Sequence, residues 1–402
     1  MQLFLVILSF ILIFAFNSID NSIAPLIGPL SEDFKVSPQR ALWLISFCTG
    51  GTVVGLILGP ALVASWDRRC FLAGCVLLLA LSQMALVVCP NFLWALGCRA
   101  LAGVAAGLIA SIMWRLTFHD ISKNYYAAML AVLMSARPLA TALGVPAAGL
   151  MTYQWNWHWP VTVIALLAAS SGLILAWYYP RNPEEVEATP PSPKPQESWL
   201  ARFLNPYRQA LTAPYAWTYY LGSTVNRMAY FGFYSLCGLW FPYHYGLDLA
   251  KISLALLIIG LADCLINFAT NSIIKRLGHR FTYLSALILS LVILPLFIYG
   301  GLNLDWAIAA IALFMTLDRI YSMALVISIP QMFPSIGEKT AFGSLNTLTA
   351  WGAMTVISGI QGTFTPLWGM TAMEHLLLTC FIIGSLAITY VQYKTGQFGI
   401  RN

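Results

Sequence analysis

The chain has 402 residues, of which 59% are hydrophobic and 9% are charged, and its mean hydropathy is +0.76. Soluble domains carry about 25% charged residues because their surface faces water, so this composition excludes an ordinary soluble protein and indicates a chain covered largely by lipid. The net charge of +6 does not indicate nucleic-acid binding, since the basic residues lie between apolar segments and form no basic run with interleaved aromatic residues.

Twelve apolar segments are long enough to cross a bilayer, which takes about 20 residues in a helix. Because lipid offers no hydrogen-bond partner to an open backbone, each segment is predicted to be an α-helix. The sequence therefore predicts an all-α polytopic membrane protein with twelve transmembrane helices. In chain order, segments 1 to 12 lie near residues 3–29, 41–65, 70–89, 92–117, 125–152, 159–179, 214–241, 251–274, 281–300, 305–329, 340–363 and 372–393.

The segments divide into two sets of six, separated by a polar, proline-rich stretch. This predicts an N-terminal six-helix bundle at residues 1–179, a cytoplasmic linker at 180–212 and a C-terminal six-helix bundle at 213–402. A tight basic turn recurs at the same place in each set, as SWDRRCFL between segments 2 and 3 and as IKRLGHRFTYL between segments 8 and 9. Such a repeat predicts two related halves around a central cavity.

The Lys and Arg residues outside the segments are divided very unequally between the two predicted faces of the membrane. The face that carries both termini and the linker has 13 of them, and the other face has 3. Positive charge accumulates on the cytoplasmic face, so both termini are predicted to be cytoplasmic. The 13 are Arg68, Arg69, Lys123, Arg181, Lys194, Arg202, Arg208, Lys275, Arg276, Arg280, Lys339, Lys394 and Arg401, and the 3 are Lys35, Arg40 and Lys251.

Ionisable residues inside a membrane are costly and therefore are candidates for function. Asp20, in segment 1, is the first candidate for a proton carrier, with Arg99 of segment 4 as its partner. Asn17 and Asn21 share the helical face of Asp20, which makes them candidate substrate contacts. The alternative is a fixed salt bridge between Asp20 and Arg99 that only holds segments 1 and 4 together.

Two further arginines are candidate substrate ligands, Arg137 in segment 5 and Arg227 in segment 7. A guanidinium group without a counter-ion binds a carboxylate or phosphate through two parallel hydrogen bonds, which indicates an anionic or zwitterionic substrate. Asn226, Tyr230 and Tyr234 lie beside Arg227 along the sequence and are predicted to complete the contact surface. Alternatively, each arginine only neutralises one of the aspartates.

The last group of intramembrane charges comprises Asp263 in segment 8 and the adjacent pair Asp318 and Arg319 in segment 10. The two aspartates are further candidates for proton coupling, and Arg319 is a further candidate for substrate binding. Neighbours along a helix point about 100° apart, so Asp318 and Arg319 are not expected to pair with each other. The alternative is that these residues form structural pairs, with Asp263 bound to Arg319 or to Arg227.

Three stretches of sequence together resemble motifs of the major facilitator superfamily. They are Gly59–Arg69 (GPALVASWDRR), Arg99–Gly107 (RALAGVAAG) and Ala142–Gly149 (ALGVPAAG). The first departs from the family pattern, because Ala64 stands where the family has an aspartate and Asp67 stands where glycine is common. Within the superfamily, the likeness is to bacterial twelve-helix drug:proton antiporters and sugar-efflux permeases.

This resemblance implies two pseudo-symmetric six-helix halves that alternately open a central site to each face of the membrane. It also implies a gating role for the basic turns and for the segment 5 motif. The residues concerned are Asp67, Arg68, Arg69, Gly144, Pro146, Gly149, Arg276 and Arg280.

The function expected from these features is proton-coupled export of a small organic compound across a bacterial cytoplasmic membrane by a monomer. No cofactor is expected besides the proton gradient, and no metal site, since the eight cysteines show no metal-ligand spacing. An enzyme is not expected, because the sequence contains no Walker phosphate loop, HExxH helix or GxSxG turn. Two alternatives remain, a proton-coupled importer of an anionic nutrient and a membrane sensor that transports nothing.

Overall fold

The computed structural model describes residues 2–180, 208, 210–332 and 339–396. The stretch predicted as a linker, 180–212, lies mostly outside these ranges, as do the last six residues. All regular structure within the described ranges is helical.

Nine helices precede the linker, and together they contain segments 1 to 6. Segment 1 is formed by α1 and α2, and segment 5 is formed by α7 and α8, which a π-helical turn at Ala140–Gly144 joins. The nine are α1 (Gln2–Asn21), α2 (Ile23–Asp33), α3 (Pro38–Ala41), α4 (Trp43–Ser65), α5 (Arg68–Val87), α6 (Phe92–Arg115), α7 (Tyr126–Leu139), α8 (Val145–Gln154) and α9 (His158–Tyr178).

Five further helices follow the linker: α10 (Ala216–Tyr245), α11 (Leu249–Leu277), α12 (His279–Tyr299), α13 (Leu304–Met332) and α14 (Lys339–Lys394). The last has 56 residues and divides at Gly369, whose φ of 80° and ψ of 173° are not helical. At 1.5 Å per residue, 56 residues would span about 84 Å, so α14 contains segments 11 and 12.

Ten stretches of the described residues are long and apolar enough to cross a membrane. One of them, Leu345–Lys394, contains two crossings, and α10 is long enough but is interrupted by polar and aromatic residues. The prediction of an all-α protein with twelve transmembrane helices is therefore confirmed.

Segment 1 is broken in the middle. Proline lacks a backbone N–H and clashes with the preceding helical turn, and Pro25 follows the break between Asn21 and Ile23. The segment also extends to Asp33, four residues beyond the predicted end at residue 29. The break leaves the Ile19 carbonyl available to a side chain of another helix, because the hydrogen-bond ladder is interrupted there.

Glycines allow α4 and α6 to pack backbone against backbone. Gly51 and Gly55 of α4 face Gly103 and Gly107 of α6, and a Cβ atom on Gly55 would lie 3.0 Å from the Cα of Gly107. Small residues four apart let transmembrane helices approach in this way. The glycines of the RALAGVAAG stretch are therefore packing residues.

Several of the contacts between the two sets of helices lie in the half of the structure farther from Gln2 and Lys394. Gly238 of α10 lies against the Ala24 backbone of α2. Ser46 of α4 donates a hydrogen bond of 2.7 Å to the Thr355 carbonyl of α14, and the Thr355 hydroxyl donates one of 2.9 Å to Thr49. These contacts hold the two sets together beyond the central cavity.

Candidate functional site

A central cavity of about 120 Å³ lies between the two sets of helices. Seven of the predicted site residues lie on its wall, contributed by α1, α7, α10 and α13. The full lining consists of Asn21, Arg137, Thr141, Arg227, Tyr230, Phe231, Tyr234, Asp318, Arg319, Ser322 and Ala350.

Arg137 projects from α7 toward aromatic rings of the other set of helices. Its guanidinium carbon lies 5.0 Å from the ring centroid of Phe231 and 4.5 Å from that of Trp351. The negative faces of aromatic rings attract a cation at this range. Within the described part of the chain, no carboxylate lies within ion-pair distance of Arg137, so the rings hold its side chain without neutralising its charge.

Arg227, on α10, is fixed by an amide of α14. It donates hydrogen bonds of 3.0 Å to the Asn346 carbonyl and 3.1 Å to Asn346 Oδ1. These bonds orient the guanidinium group toward α14 and, like the rings around Arg137, leave its charge uncompensated.

Arg319, on α13, forms a two-point ion pair with Asp263 of α11. Its Nε lies 2.9 Å from Asp263 Oδ1, and its Nη2 lies 2.6 Å from Oδ2. This is the fork geometry that makes Arg–carboxylate pairs strong. Of the two partners that the sequence allowed for Asp263, the structure selects Arg319.

Asp318 lies on the cavity wall beside this pair and is only 7% exposed. Its Oδ1 atom has no hydrogen-bond partner among the described residues. A buried polar atom without a partner is rare and needs an explanation. One explanation is that the atom binds a proton or a ligand.

Asp20, at the end of α1, lies outside the cavity lining and is 2% exposed. Its Oδ1 accepts a hydrogen bond of 2.8 Å from the Cys48 thiol of α4, and its Oδ2 has no partner among the described residues. Arg99 donates to the carbonyls of Leu44 and Ile19, at 3.3 and 3.2 Å. The fixed salt bridge between Asp20 and Arg99 is therefore absent from the structure as described.

Two of the predicted substrate contacts lie away from the cavity wall. Asn17 donates a hydrogen bond of 2.7 Å to the Ile13 carbonyl, one turn earlier in its own helix. Asn226 donates one of 2.9 Å to Ser385 Oγ of α14. In this structure both amides therefore serve contacts within or between helices.

The basic turn before α5 makes its contacts within the first set of helices. Asp67 caps α5, since its side chain accepts from the backbone N–H groups of Arg69 and Cys70 at 3.1 and 3.0 Å. These bonds lower the pKa of Asp67, with that from Cys70 the largest cause. Arg68 pairs with Asp120 at 3.1 Å, and Arg69 donates to the Tyr179 carbonyl at 2.8 Å.

Asp120 is a charged residue that the sequence reasoning did not single out. Besides Arg68, it accepts a hydrogen bond of 2.7 Å from the Tyr179 hydroxyl and lies 3.8 Å from Arg115. We call Arg68, Arg115, Asp120 and Tyr179 the Asp120 cluster. It joins the ends of α5, α6 and α9, whereas Arg276 and Arg280 of the second basic turn are exposed.

The segment 5 motif lies where helices approach closely. A Cβ atom on Gly144 would lie 2.9 Å from the Cβ of Ser18 on α1, and one on Gly149 would lie 3.1 Å from the Cβ of Ser253 on α11. Pro146 is buried at the start of α8. Gly149 thus sits at a contact between the two sets of helices, and its gating role stays a prediction.

Four cavity-lining residues and Trp351 were not predicted. Thr141 follows Arg137 by four residues, and Ser322 follows Asp318 by four, so both could have been found as helical neighbours of a predicted residue. Phe231 also follows a predicted residue, Arg227, by four, whereas Ala350 and Trp351 carry no such signal, because apolar and aromatic residues are common throughout membrane helices.

A model of the Major Facilitator Superfamily matches residues 5–359. The chain is 24% identical over 270 residues to YceJ of Bacillus subtilis, described as an uncharacterized MFS-type transporter, and this alignment covers 66% of each chain. It is 28% identical over 158 residues to a chloramphenicol resistance protein of Streptomyces lividans, covering 39% of this chain and 40% of that protein.

A longer alignment, with the MFS-type transporter YwfA of Bacillus subtilis, has 21% identity over 390 residues and covers 96% of this chain and 91% of the relative. The chain spans just under two thirds of YceJ and two fifths of the chloramphenicol resistance protein. The family match covers most of the described helices, and the predicted resemblance is confirmed. The chain belongs to the Major Facilitator Superfamily, whose fold consists of twelve helices in two halves.

Proposed function

We propose that this transporter exports a small anionic or zwitterionic organic compound in exchange for protons. The observation that carries the proposal is Arg137, a cation on the wall of the central cavity whose described contacts include two aromatic rings and no carboxylate. Burying an unpaired charge is costly. A ligand that supplies the missing negative charge would offset that cost.

The position of the contacts between the halves supports alternating access. Gly238 and Thr355 belong to the second half, and they contact Ala24, Ser46 and Thr49 of the first. Opening the cavity on that side requires these contacts to separate while the Arg319–Asp263 pair, which lies within one half, stays intact. The pair then holds α11 and α13 together while this half moves.

Proton coupling is assigned to the two buried aspartates that keep an oxygen without a partner, Asp20 and Asp318. Arg99 and Arg137 are the cations that act on Asp20 electrostatically. A rearrangement that changes the distance from Asp20 to either arginine would change the proton affinity of its carboxyl group. Asp263, by contrast, is held by Arg319 at both oxygens and is assigned a structural role.

The direction of transport is proposed from two features. One relative is named a chloramphenicol resistance protein, and the ALGVPAAG stretch resembles the antiporter motif, with Gly149 at a contact between the halves. The uneven distribution of Lys and Arg supports cytoplasmic termini in a bacterial cytoplasmic membrane. The two halves of one chain enclose the cavity, so a monomer suffices for transport.

The test is untargeted mass spectrometry of the growth medium from a strain lacking the gene, a strain overproducing the protein and a strain overproducing Arg137→Gln. We expect a compound that is enriched outside the overproducer and scarce outside the deletion strain. Its level outside the cells should not rise when the Arg137→Gln variant is overproduced. Export of chloramphenicol is measured in the same strains as a defined probe. A compound that the overproducer consumes faster would show uptake and overturn the proposal.

A further inference from the structure

The cavity wall carries three polar groups that the described residues leave without a matching partner. They are the buried Oδ1 atom of Asp318, the buried hydroxyl of Tyr234 and the guanidinium group of Arg137, which contacts aromatic rings but no carboxylate. Since buried polar groups are nearly always hydrogen-bonded, three such groups around one cavity indicate a ligand with complementary groups.

The other two charged groups on the wall are already held by hydrogen bonds, although those of Arg227 go to a neutral amide and leave its charge uncompensated. Arg227 is bound to Asn346 through two hydrogen bonds, and Arg319 is bound to Asp263 at both carboxylate oxygens. Arg137 and Asp318 are therefore the cation and the anion on the wall whose hydrogen-bonding groups the described residues leave open to a ligand. They come from different halves, since Arg137 lies on α7 and Asp318 on α13.

A ligand with a single charge would satisfy only one of these two groups and leave the other buried without a partner. A ligand with both charges would satisfy both. We infer that the substrate is a small zwitterion whose anionic group binds Arg137 and whose ammonium group binds Asp318. This inference rests on the proposed function, because it names the substrate class of the same cavity.

The rest of the wall agrees with a small molecule. A cavity of about 120 Å³ has room for a short ligand, and pockets in proteins are mostly apolar with a few polar groups that fix orientation. Phe231 and Ala350 supply apolar surface on the same wall, and the hydroxyl of Tyr234 can donate to an anionic oxygen. Because such a ligand contacts both halves, its binding bridges them.

The inference is tested by ligand-induced thermal stabilisation of the purified full-length protein in detergent. The probes are glycine, 4-aminobutyrate and 6-aminohexanoate, which vary the separation between the charges. Each is compared with the acid lacking the amine (acetate, butyrate, hexanoate) and with the amine lacking the carboxylate (methylamine, butylamine, hexylamine). We expect at least one amino acid to bind tenfold or more tightly than both of its singly charged counterparts.

Variants assign each charge to its residue. Arg137→Gln should reduce the affinity for the amino acid to that for the matching amine, and Asp318→Asn should reduce it to that for the matching acid. Arg137→Lys keeps the positive charge and should retain binding within about tenfold. Arg40→Gln and Asp305→Asn remove exposed charges of the same types and should leave binding unchanged.

Three results would overturn the inference: an acid that binds as tightly as its amino acid, an amine that does so, or no stabilisation by any compound in the series. Binding in detergent requires no proton gradient, so this test is separate from that of export. Zwitterion binding without proton-linked flux would contradict the proposed function alone, whereas proton-linked flux of a singly charged compound would contradict the inference alone.

Discussion

Arg319 and Asp263 meet with two nitrogen atoms facing two oxygen atoms, at 2.9 and 2.6 Å, and this pair joins α13 to α11 at the edge of the central cavity. Asp263 is buried, whereas Arg319 retains some exposure. The pair neutralises both charges, so Asp318 is the carboxylate on the cavity wall that has no ion-pair partner among the described residues. The pair is therefore expected to stabilise the contact between α11 and α13.

Asp263→Asn should destabilise the protein, because it leaves the guanidinium group of Arg319 without its counter-ion. Removing one partner of a buried ion pair costs about 3 to 5 kcal/mol of stability. Because Arg319 is partly exposed, we expect the free energy of unfolding to fall by about 3 kcal/mol. The loss is measured as the change in thermal unfolding in detergent. The matched control is Asp305→Asn, at an exposed position of α13.

The double variant Asp263→Asn with Arg319→Gln distinguishes a lost ion pair from general damage to packing. It removes both charges, so we expect it to be more stable than Asp263→Asn alone. A double variant that loses the sum of the two single losses would show that the pair contributes no coupling energy.

Asp20→Asn should abolish flux driven by a pH gradient while leaving exchange of substrate for substrate intact. An amide cannot carry a proton, but it can still accept the hydrogen bond that the Cys48 thiol donates to Asp20. The measurement compares pH-driven flux with exchange in proteoliposomes, using the compound that mass spectrometry of the medium identifies. Asp20 is not the carrier if the variant retains pH-driven flux at the rate of Asp305→Asn.

The helices could be predicted from the sequence because lipid enforces a simple rule: about 20 apolar residues make one crossing. The break after Asn21 was not predicted, although Pro25 lies close by, since proline within membrane helices is often accommodated by neighbouring groups. The position at which a membrane helix breaks depends on which hydrogen-bond donors the neighbouring helices supply. Here Arg99 supplies a donor to the Ile19 carbonyl.

The charged residues of the site could be found from the sequence, but their partners could not. Inside a membrane each such residue is conspicuous, which is why Arg137, Arg227 and Asp318 were recognised. The partner depends on which helices are neighbours, so Asp263 had two candidates until α11 and α13 were seen side by side. Asp120 was missed for the same reason, because only the fold brings it to Tyr179 and Arg68.

Gly238→Ala should loosen the contact between the halves. An added Cβ atom would lie 3.1 Å from the carbonyl carbon of Ala24 and 3.6 Å from the Cα of Pro25, and backbone atoms cannot rotate away as a side chain can. Overpacking of this kind costs about 1 to 3 kcal/mol, and only the state in which α10 touches α2 bears that cost. We expect faster hydrogen–deuterium exchange in peptides that cover these two contact regions.

The matched control for this glycine is Gly74→Ala, on α5, where no heavy atom lies within 4 Å of the added Cβ. It makes the same chemical change in a transmembrane helix without a new contact. Equal exchange in the two variants would mean that the contact at Gly238 does not hold the halves together.

Tyr179→Phe should destabilise the Asp120 cluster by about 1 to 2 kcal/mol, since it removes a hydrogen bond of 2.7 Å to a buried carboxylate.

Burial, followed by the charge of Asp120 and the hydrogen bond to it, raises the pKa of Tyr179 above its ordinary value of 10.0. A raised folded-state pKa stabilises the protein below the unfolded-state pKa, and this contribution is lost as the pH rises toward the folded-state value. The stability difference between wild type and Tyr179→Phe should therefore be constant near pH 8 and shrink above pH 10.

Thermal unfolding from pH 8 to 11 measures this stability difference. The control is Tyr153→Phe, at an exposed position, whose difference from wild type should stay small throughout. A difference for Tyr179→Phe that does not change with pH would show that the hydroxyl contributes packing alone and that its bond to Asp120 does not hold the ends of α6 and α9 together.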